Sequence, residues 1–511
     1  MLLDGFRTTP QHVQILCLSS PIRIWLTLAI SLSILLLLRL IALYIAKTDL
    51  FFDEAQYWAW SQQLDFGYFS KPPGLAWIIR AGTESCGLSE FCVRITSPIL
   101  HSLTAFFLFL AARTLFNNKI ALISALAYAT LPGISFSSTL ISTDVPLLLF
   151  WTIALWAFAN FIKHQNVVWT IILGLALGFG LLSKYAMLYF IGNALIYALI
   201  SKHARNAFQT RQFSIAIAIA FILILPNIFW NLQNGLVTFS HTADNANWTG
   251  SLLNPTKTLE FFGAQFGVFG PILFAALLII ALQTYRESHD TTSDQEQFEI
   301  RTFLLCFSIP IITIILIQAF LSRAHANWAA TAYPAATLLV IAVMMQDNRW
   351  RWLQMSFAIH GIIAILLIFS GRYAGEFSLP GNNDPYSRVL GWQEIATKTR
   401  ALSEKHQLNT IITERRALTA ELLYYLHKTD LEVYSWKAQS TPKDHFQLTR
   451  PFSAQKAPLQ MLLVTFKQNP NHILSKFDKV TPLSKHTIPA GLTRTRTLYF
   501  FQLSGYKADA T

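Results

Sequence analysis

Along the first 371 positions apolar residues come in long runs, and polar residues are confined to the connectors between them. A helix needs about 20 apolar residues to cross the hydrocarbon core of a bilayer. About eleven stretches reach or approach that length, near 22–46, 94–113, 119–138, 145–162, 167–183, 185–200, 213–230, 259–282, 302–321, 328–345 and 355–371. The first is too long for a signal-peptide core and no small-residue cleavage site follows it, so it is expected to persist as a span. Arg39 lies near its outer end, where snorkelling to the interface is the expected arrangement.

After Arg372 the pattern changes. EFSLPGNNDPYSR (376–388) is a turn-rich linker. GWQEIATKTRALSEKH (391–406) and ALTAELLYYLHK (417–428) carry helical periodicity; LNTIITE (408–414), LEVYSW (431–436), LQMLLVTF (459–466) and RTLYFFQLSG (496–505) read as strands. The expected fold is mainly α: a polytopic membrane protein with about 11 or more transmembrane helices over 1–371, followed by a small soluble α/β domain over 372–511. The basic residues of that domain read mostly as a solvated face.

Composition agrees with this class. The 511 residues are 53% hydrophobic and only 13% charged, with a mean hydropathy of +0.41, where a soluble domain is about a quarter charged. The net charge of +12 fits positive-inside topology or attraction to anionic lipid and phosphate, and no basic patch interleaved with a soluble fold suggests nucleic acid. Cys17 and Cys306 lie near or inside spans. Cys86 and Cys92 share the first extramembrane loop, where a disulfide forms if that side is oxidising. No metal-type Cys/His spacing occurs.

Sorting the connectors by lysine and arginine separates two faces. Arg113 with Lys119, Lys163, Lys202 with Arg205 and Arg211, Arg286 with Arg301, and Arg349 with Arg351 mark the cytoplasmic set, to which Arg7 and Arg23 also belong. The opposite set holds nearly every unusual polar cluster: the stretch from residue 51, SSTLISTDVP (137–146), LLSKYAM (181–187), NGLVTFSHTADNANWTG (234–250), SRAHANW (322–328) and all that follows Arg372. Transporters place ionisable groups mid-span; here they gather at the outer helix ends.

Each cluster has a structural and a chemical reading. Asp53 and Glu54 suit the N-terminus of a short interfacial helix, or a carboxylate facing a cavity as base toward an acceptor hydroxyl. Lys71, held before Pro72 and Pro73, suits a lipid anchor or a contact to a substrate phosphate. Asp144 in STDVP suits a helix cap, and Lys184 an interfacial anchor. His241, Asp244, Asn245 and Asn247 suit a solvated loop or sugar recognition. Arg323, His325 and Asn327 fill a short turn, with Arg323 suited to phosphate. Their shared face is the reason to read them together.

FFDEAQYWAWSQQLDFGYFSKPP (51–73), STDVPLLLFW (142–151), GLLSKYAML (180–188) and SRAHANWAATAYPA (322–335) resemble the bacterial branch of the protein-mannosyltransferase-like, aminoarabinose-transferase-like membrane glycosyltransferases, which have the GT-C architecture. The likeness covers about 370 residues, and DHFQLTRP (444–451) resembles an extension of some members. The resemblance implies transfer of a sugar, with inversion, from a polyprenyl phosphate to an acceptor outside the membrane. It places the family's acid motif on Asp53, with Glu54 beside it as the second catalytic candidate, and a phosphate-contacting lysine on Lys71. Tyr68 from the same motif, Asp144, Lys184, His241, Asp244, Asn247, Arg323 and Asn327 are then expected to bind substrate. Many relatives of the aminoarabinose type carry a glutamate just before that lysine, to which a metal role is attributed, whereas Ser70 stands here; no obligatory metal or other cofactor is expected, a divalent cation remaining open.

The expected activity is glycosyl transfer from a lipid-phosphate-sugar to an envelope glycolipid, lipid A or lipopolysaccharide core, by a multi-pass inner-membrane enzyme whose active site and C-terminal domain are periplasmic. Its expected partners are the polyprenyl-phosphate donor, the glycolipid acceptor and membrane lipid. Transfer to protein or a surface polymer is the alternative within enzymes. A flippase for lipid-linked sugar would require mid-span charges and a repeated half, and a scaffold would leave the paired acids unexplained.

Overall fold

A computed structural model of the chain describes residues 20–246, 252–287, 295–437, 441–453 and 458–507. Among them, seven helices are long and apolar enough to cross a membrane, or eight if a bent pair counts as one span. The first, α1 (Pro21–Ile45), starts where the Ser20 side chain accepts the Arg23 amide and Pro21 occupies the first turn. Between the first and second spans lie α2 (Phe52–Gln62) and α3 (Gly74–Cys86).

Burial separates central from peripheral helices. The most apolar windows of Asp144–His164 and Ala326–Gln346 are 78% and 83% buried, against 28% for Pro21–Ile45 and 22% for Arg211–Gln233. A helix apolar all round yet mostly uncovered by protein requires lipid as its solvent. The central helices pack through aromatic side chains, with Phe190 and Phe158 against Phe307 at centroid separations of 4.7 and 5.8 Å.

Four of the expected spans differ from single membrane-length helices. Val167–Ser183 and Leu188–Ile200 are short. The 119–138 stretch breaks into Asn118–Thr130 and Pro132–Ser137, because Pro132 supplies no amide to continue the ladder. The 259–282 stretch forms two helices that meet at 113°, where Gly270 adopts φ +91° and Pro271 follows it. The two breaks face each other, since a Cβ on Gly133 would come within 2.7 Å of Val268. Irregular backbone at membrane depth is tolerated where it is buried in protein or lines a cavity.

Arg39 corrects the expectation of snorkelling. It is 1% exposed and its guanidinium donates to the carbonyl of Ala129. The break at Pro132 leaves the last carbonyls of that helix without amides, and an arginine at a helix C-terminus meets both the hydrogen-bond and the dipole requirement.

The C-terminal region forms a five-stranded sheet from β1 (Thr410–Thr413), β2 (Glu432–Ser435), β3 (Gln460–Thr465), β4 (Phe477–Pro489) and β5 (Thr495–Tyr506), in the order β2-β1-β3-β5-β4. β1 is parallel to β2 and β3; β5 is antiparallel to β3 and β4. The helices Trp392–His406 and Arg416–Tyr425 cover one face through Trp392, Ile395, Leu418 and Leu422. β4 escaped the sequence reading because it is a polar edge strand, with Pro482 at an irregularity in its pairing.

This domain is fastened to the membrane part. Asp49, between α1 and α2, accepts the Trp392 amide at 2.7 Å and so caps the first helix of the C-terminal domain. The Leu50 amide donates to the Tyr425 hydroxyl at 3.1 Å, and Trp58 of α2 packs edge-on against Tyr424 at 5.0 Å. Cys86 and Cys92 are joined by a disulfide that ties the end of α3 to the helix Glu90–Arg94. In the native protein both thiols are expected to resist alkylation until a reductant is added, as read by mass spectrometry of the peptides; alkylation without reductant would show the pair to be open.

Candidate active site

Two consecutive acids begin α2, and the helix sends them in different directions. Successive helical residues are rotated by about 100°, so one side chain can turn into the protein while its neighbour turns out. Glu54 turns in. It is 1% exposed and receives the Phe51 amide at 2.9 Å, the Ile141 amide at 2.9 Å and the Arg94 guanidinium at 2.7 Å. Arg94 in turn donates to Thr48 and to the Asp49 carbonyl. With its oxygens committed to backbone amides and a buried cation, Glu54 is a structural clamp, which corrects its reading as a second reacting carboxylate.

Asp53 turns out, into a cavity of about 1150 Å³. Its Oδ1 accepts from Arg416 Nη1 at 2.7 Å, and the pair is about one-third exposed. Arg416 also donates to Gln56 Oε1 at 2.9 Å. Asp53 Oδ2 carries no hydrogen bond among the described residues.

The connectors grouped by charge in the sequence meet at this cavity. Lys71, Asp144, Lys184, His241, Arg323 and Asn327 all line it with Asp53. Asp144, in the first turn of its helix, accepts from Lys184 Nζ at 2.6 Å through Oδ1 and from Asn327 Nδ2 at 2.6 Å through Oδ2. One carboxylate thereby joins three connectors. Lys71 follows a turn closed by the Tyr68 amide on its own carbonyl. Pro72 and Pro73 then lead into α3, whose first residue has to be small, as a Cβ on Gly74 would lie 2.8 Å from the Leu182 carbonyl.

Burial, and then the Lys184 charge, lower the Lys71 ammonium to about 8. His241 is lowered by burial and by the Lys71 and Arg416 charges, and His325 by burial and by Arg323, Arg388 and Lys184. Both imidazoles are thus held toward their neutral forms, first by burial and then by a cationic surrounding.

Two expected substrate contacts stand apart. Tyr68 is buried and does not line the cavity; its ring stacks on Trp60 at 4.7 Å and its hydroxyl donates to the Trp60 carbonyl at 3.0 Å, so it braces the Lys71 loop. Asp244 is exposed on the helix Val237–Ala246, where an irregular polar loop was expected, and does not line the cavity. Asn247 lies outside the described residues.

The sequence reading missed the contribution of the C-terminal domain. Arg388, Arg416, Lys443, Asp444 and His445 line the same cavity. Their basic groups were assigned to a solvated face, and only DHFQLTRP hinted at His445. Apart from the buried Arg94–Glu54 pair at its edge, the lining holds six lysines and arginines against three aspartates, an excess of three positive charges suited to an anionic substrate. Among the described residues no three His, Cys, Asp or Glu side chains converge as a metal site. Asp53, Glu54 and Asp144 each already hold a cation. Away from this polar end the cavity is walled by Ala42, Leu43, Ile134, Leu367 and Ile368.

Such a fold and site, a helical membrane body with acids and cations gathered under a soluble domain, define the GT-C class of membrane glycosyltransferases. The crystal structure of ArnT from Cupriavidus metallidurans superimposes with a TM-score of 0.62 over 96% of this chain and 100% of that one, at 13% identity. Over 411 residues the chain is 37% identical to the lipid A galacturonosyltransferase RgtD of Rhizobium johnstonii, spanning 80% of this chain and 84% of that protein. It is 29% identical over 186 residues to the lipopolysaccharide core galacturonosyltransferase RgtA of the same organism, 36% of this chain and 37% of that one. The family model described as dolichyl-phosphate-mannose-protein mannosyltransferase matches residues 70–230. The chain belongs to the bacterial ArnT-like branch of this glycosyltransferase family, and it is a multi-span membrane enzyme.

Two outcomes follow from the site. Glu54→Ala leaves Arg94 buried without its counter-ion, which costs about 3–5 kcal/mol, and is expected to lower Tm in detergent markedly; an unchanged Tm would contradict the clamp. If the Lys71 charge binds an anionic substrate, kcat/KM should fall as pH rises through about 8 and Lys71→Arg should move that limb upward. A profile identical in both proteins would remove Lys71 from substrate binding.

Proposed function

We propose that the enzyme moves a sugar from a polyprenyl-phosphate donor onto lipid A or lipopolysaccharide core at the periplasmic face of the inner membrane, with inversion at the anomeric carbon. The observation that carries this reading is the single cavity in which Asp53, Lys71, Lys184 and Arg323 adjoin a wall of aliphatic side chains. A lipid-linked phosphosugar needs that combination. An acidic hexose is the sugar class we propose first, because the relative RgtD is a galacturonosyltransferase and the lining carries excess positive charge.

In the proposed step the acceptor oxygen attacks the anomeric carbon, a new C–O bond forms, and the bond to the phosphate oxygen breaks with its electron pair leaving on polyprenyl phosphate. The leaving group is already stable as an anion, so charge stabilisation matters more than protonation. Lys71 and Arg323 suit that task; Lys184 is partly satisfied by Asp144. A hydroxyl acceptor gives its proton to Asp53. A phosphate acceptor is already ionised, and Asp53 then orients it. The transfer is proposed to need no metal, since Asp53, Glu54 and Asp144 are paired with cations and Ser70 stands where the resemblance to the aminoarabinose type would place a glutamate. The Cys86–Cys92 disulfide supports the periplasmic orientation, because such bonds persist on oxidising sides.

The test is incubation of the purified enzyme with undecaprenyl-phosphate-galacturonate and lipid A, followed by mass spectrometry of the lipid. Glycosylated lipid A is expected, and Asp53→Asn should lower kcat by about 10²–10⁴-fold while retaining donor binding. Label appearing on protein instead of lipid would replace the acceptor. Movement of the donor without covalent transfer would overturn the reading.

A further inference from the structure

Lys71 and Arg323, which suit the leaving phosphate, belong to the membrane part, and they do not account for the basic groups of the C-terminal domain at the same cavity. Arg388 comes from the linker that precedes the first helix of the C-terminal domain, and Arg416 opens the helix Arg416–Tyr425. Both reach the N-terminus of α2 and rest on the paired rings of Phe51 and Phe52, whose centroids are 4.2 Å apart. The Arg388 guanidinium lies 4.5 Å from the Phe51 centroid and 5.6 Å from that of Phe52, and the Arg416 guanidinium lies 4.9 Å from the Phe52 centroid.

Two guanidinium groups on adjacent rings repel each other, and the aromatic faces offset only part of that repulsion. Asp53 bonds Arg416, but the Arg388 guanidinium has no hydrogen bond or ion pair among the described residues. Lys443, a third cation of the same domain, also lines the cavity and likewise lacks a partner there. Side chains that only neutralised a surface would not be held on an aromatic platform at a cavity wall. An arrangement of forked donors, fixed in orientation and short of negative charge, is what recognises a planar or tetrahedral oxyanion.

We propose that Arg388 and Arg416, assisted by Lys443, form a second anion site that the C-terminal domain contributes to the cavity, and that it binds an acidic group carried by the substrate beside Asp53. This rests on the transferase reading above and adds to it a selectivity element. The group is a carboxylate on the transferred sugar or a phosphate on the acceptor; both present the same oxygen chemistry to the guanidinium forks. Engagement of Arg416 by the incoming anion also frees Asp53 Oδ1, so that the carboxylate becomes available when an acidic substrate is seated.

The experiment compares wild type with Arg388→Ala and Arg416→Lys in the full-length enzyme, using two donors and two acceptors. The donors are undecaprenyl-phosphate-galacturonate and undecaprenyl-phosphate-galactose; the acceptors are lipid A and its dephosphorylated form. The readout is the ratio of kcat/KM for the acidic over the neutral member of each pair. In one pair, that ratio is expected to fall at least about tenfold in Arg388→Ala, by the loss of about 1.4 kcal/mol, and the affected pair identifies which substrate carries the anion. Arg416→Lys, which keeps a charge opposite Asp53 without the fork, is expected to lower the same ratio less. Ratios unchanged in both pairs, with transfer intact, overturn the second anion site and leave the transferase reading standing. If no donor is turned over by wild type, that reading fails, and titration of the four lipids against intrinsic tryptophan fluorescence decides the anion site by itself: no loss of preference for the acidic lipids in Arg388→Ala overturns it.

Discussion

The buried contact between Glu54 and Arg94 sets the geometry on which the cavity depends. A carboxylate and a guanidinium withdrawn from water are tolerated only with near-complete hydrogen bonding, and Glu54 meets that condition by taking amides from Phe51 and Ile141 as well as the arginine. Three chain segments far apart in sequence are thereby fixed to one point: the start of α2, the helix Glu90–Arg94 and the connector around Ile141. Asp53 is the residue just before it in the helix, so its position at the cavity wall follows from where Glu54 is held. The adjacent acids divide the work between fixing the site and facing it.

A second joint turns this membrane site into a covered one. Asp49 caps the helix that begins at Trp392, and Tyr425 receives the neighbouring amide of Leu50. These contacts use the short segment between α1 and α2, the same segment Arg94 grips through Thr48 and Asp49. Covering the site with a soluble domain lowers the effective dielectric around its charges, which strengthens each electrostatic contact made there. It also brings in basic groups that no membrane helix carries.

The membrane helices themselves open where the cavity demands it. The breaks at Pro132 and at Gly270–Pro271 leave backbone groups that lipid could not satisfy. Leu131, Gly133 and Val268 from these breaks line the cavity, and Arg39 supplies one of the missing donors from α1. These interruptions therefore contribute apolar lining to the cavity, while its polar end comes from the connectors and the C-terminal domain.

From the sequence, the membrane class, the positions of most helices and the grouping of Asp53, Lys71, Asp144, Lys184, His241, Arg323 and Asn327 on one face were legible, because hydropathy runs and lysine/arginine bias are local and one-dimensional. The C-terminal strands were legible for the same reason, except for the polar edge strand β4. What the sequence could not contain was the direction of each side chain. Whether Glu54 or Asp53 faces the cavity, whether Arg39 turns to lipid or to a carbonyl, and whether Tyr68 meets substrate or Trp60 depend on helix rotation and on partners 8 to 90 residues away. The roof formed by Arg388, Arg416 and Lys443 was equally hidden, since a basic residue on a soluble domain has the same local pattern whether it meets water or a cavity. Charge and hydropathy decided which face carries the chemistry; only the packing of distant segments decided which charges reach it.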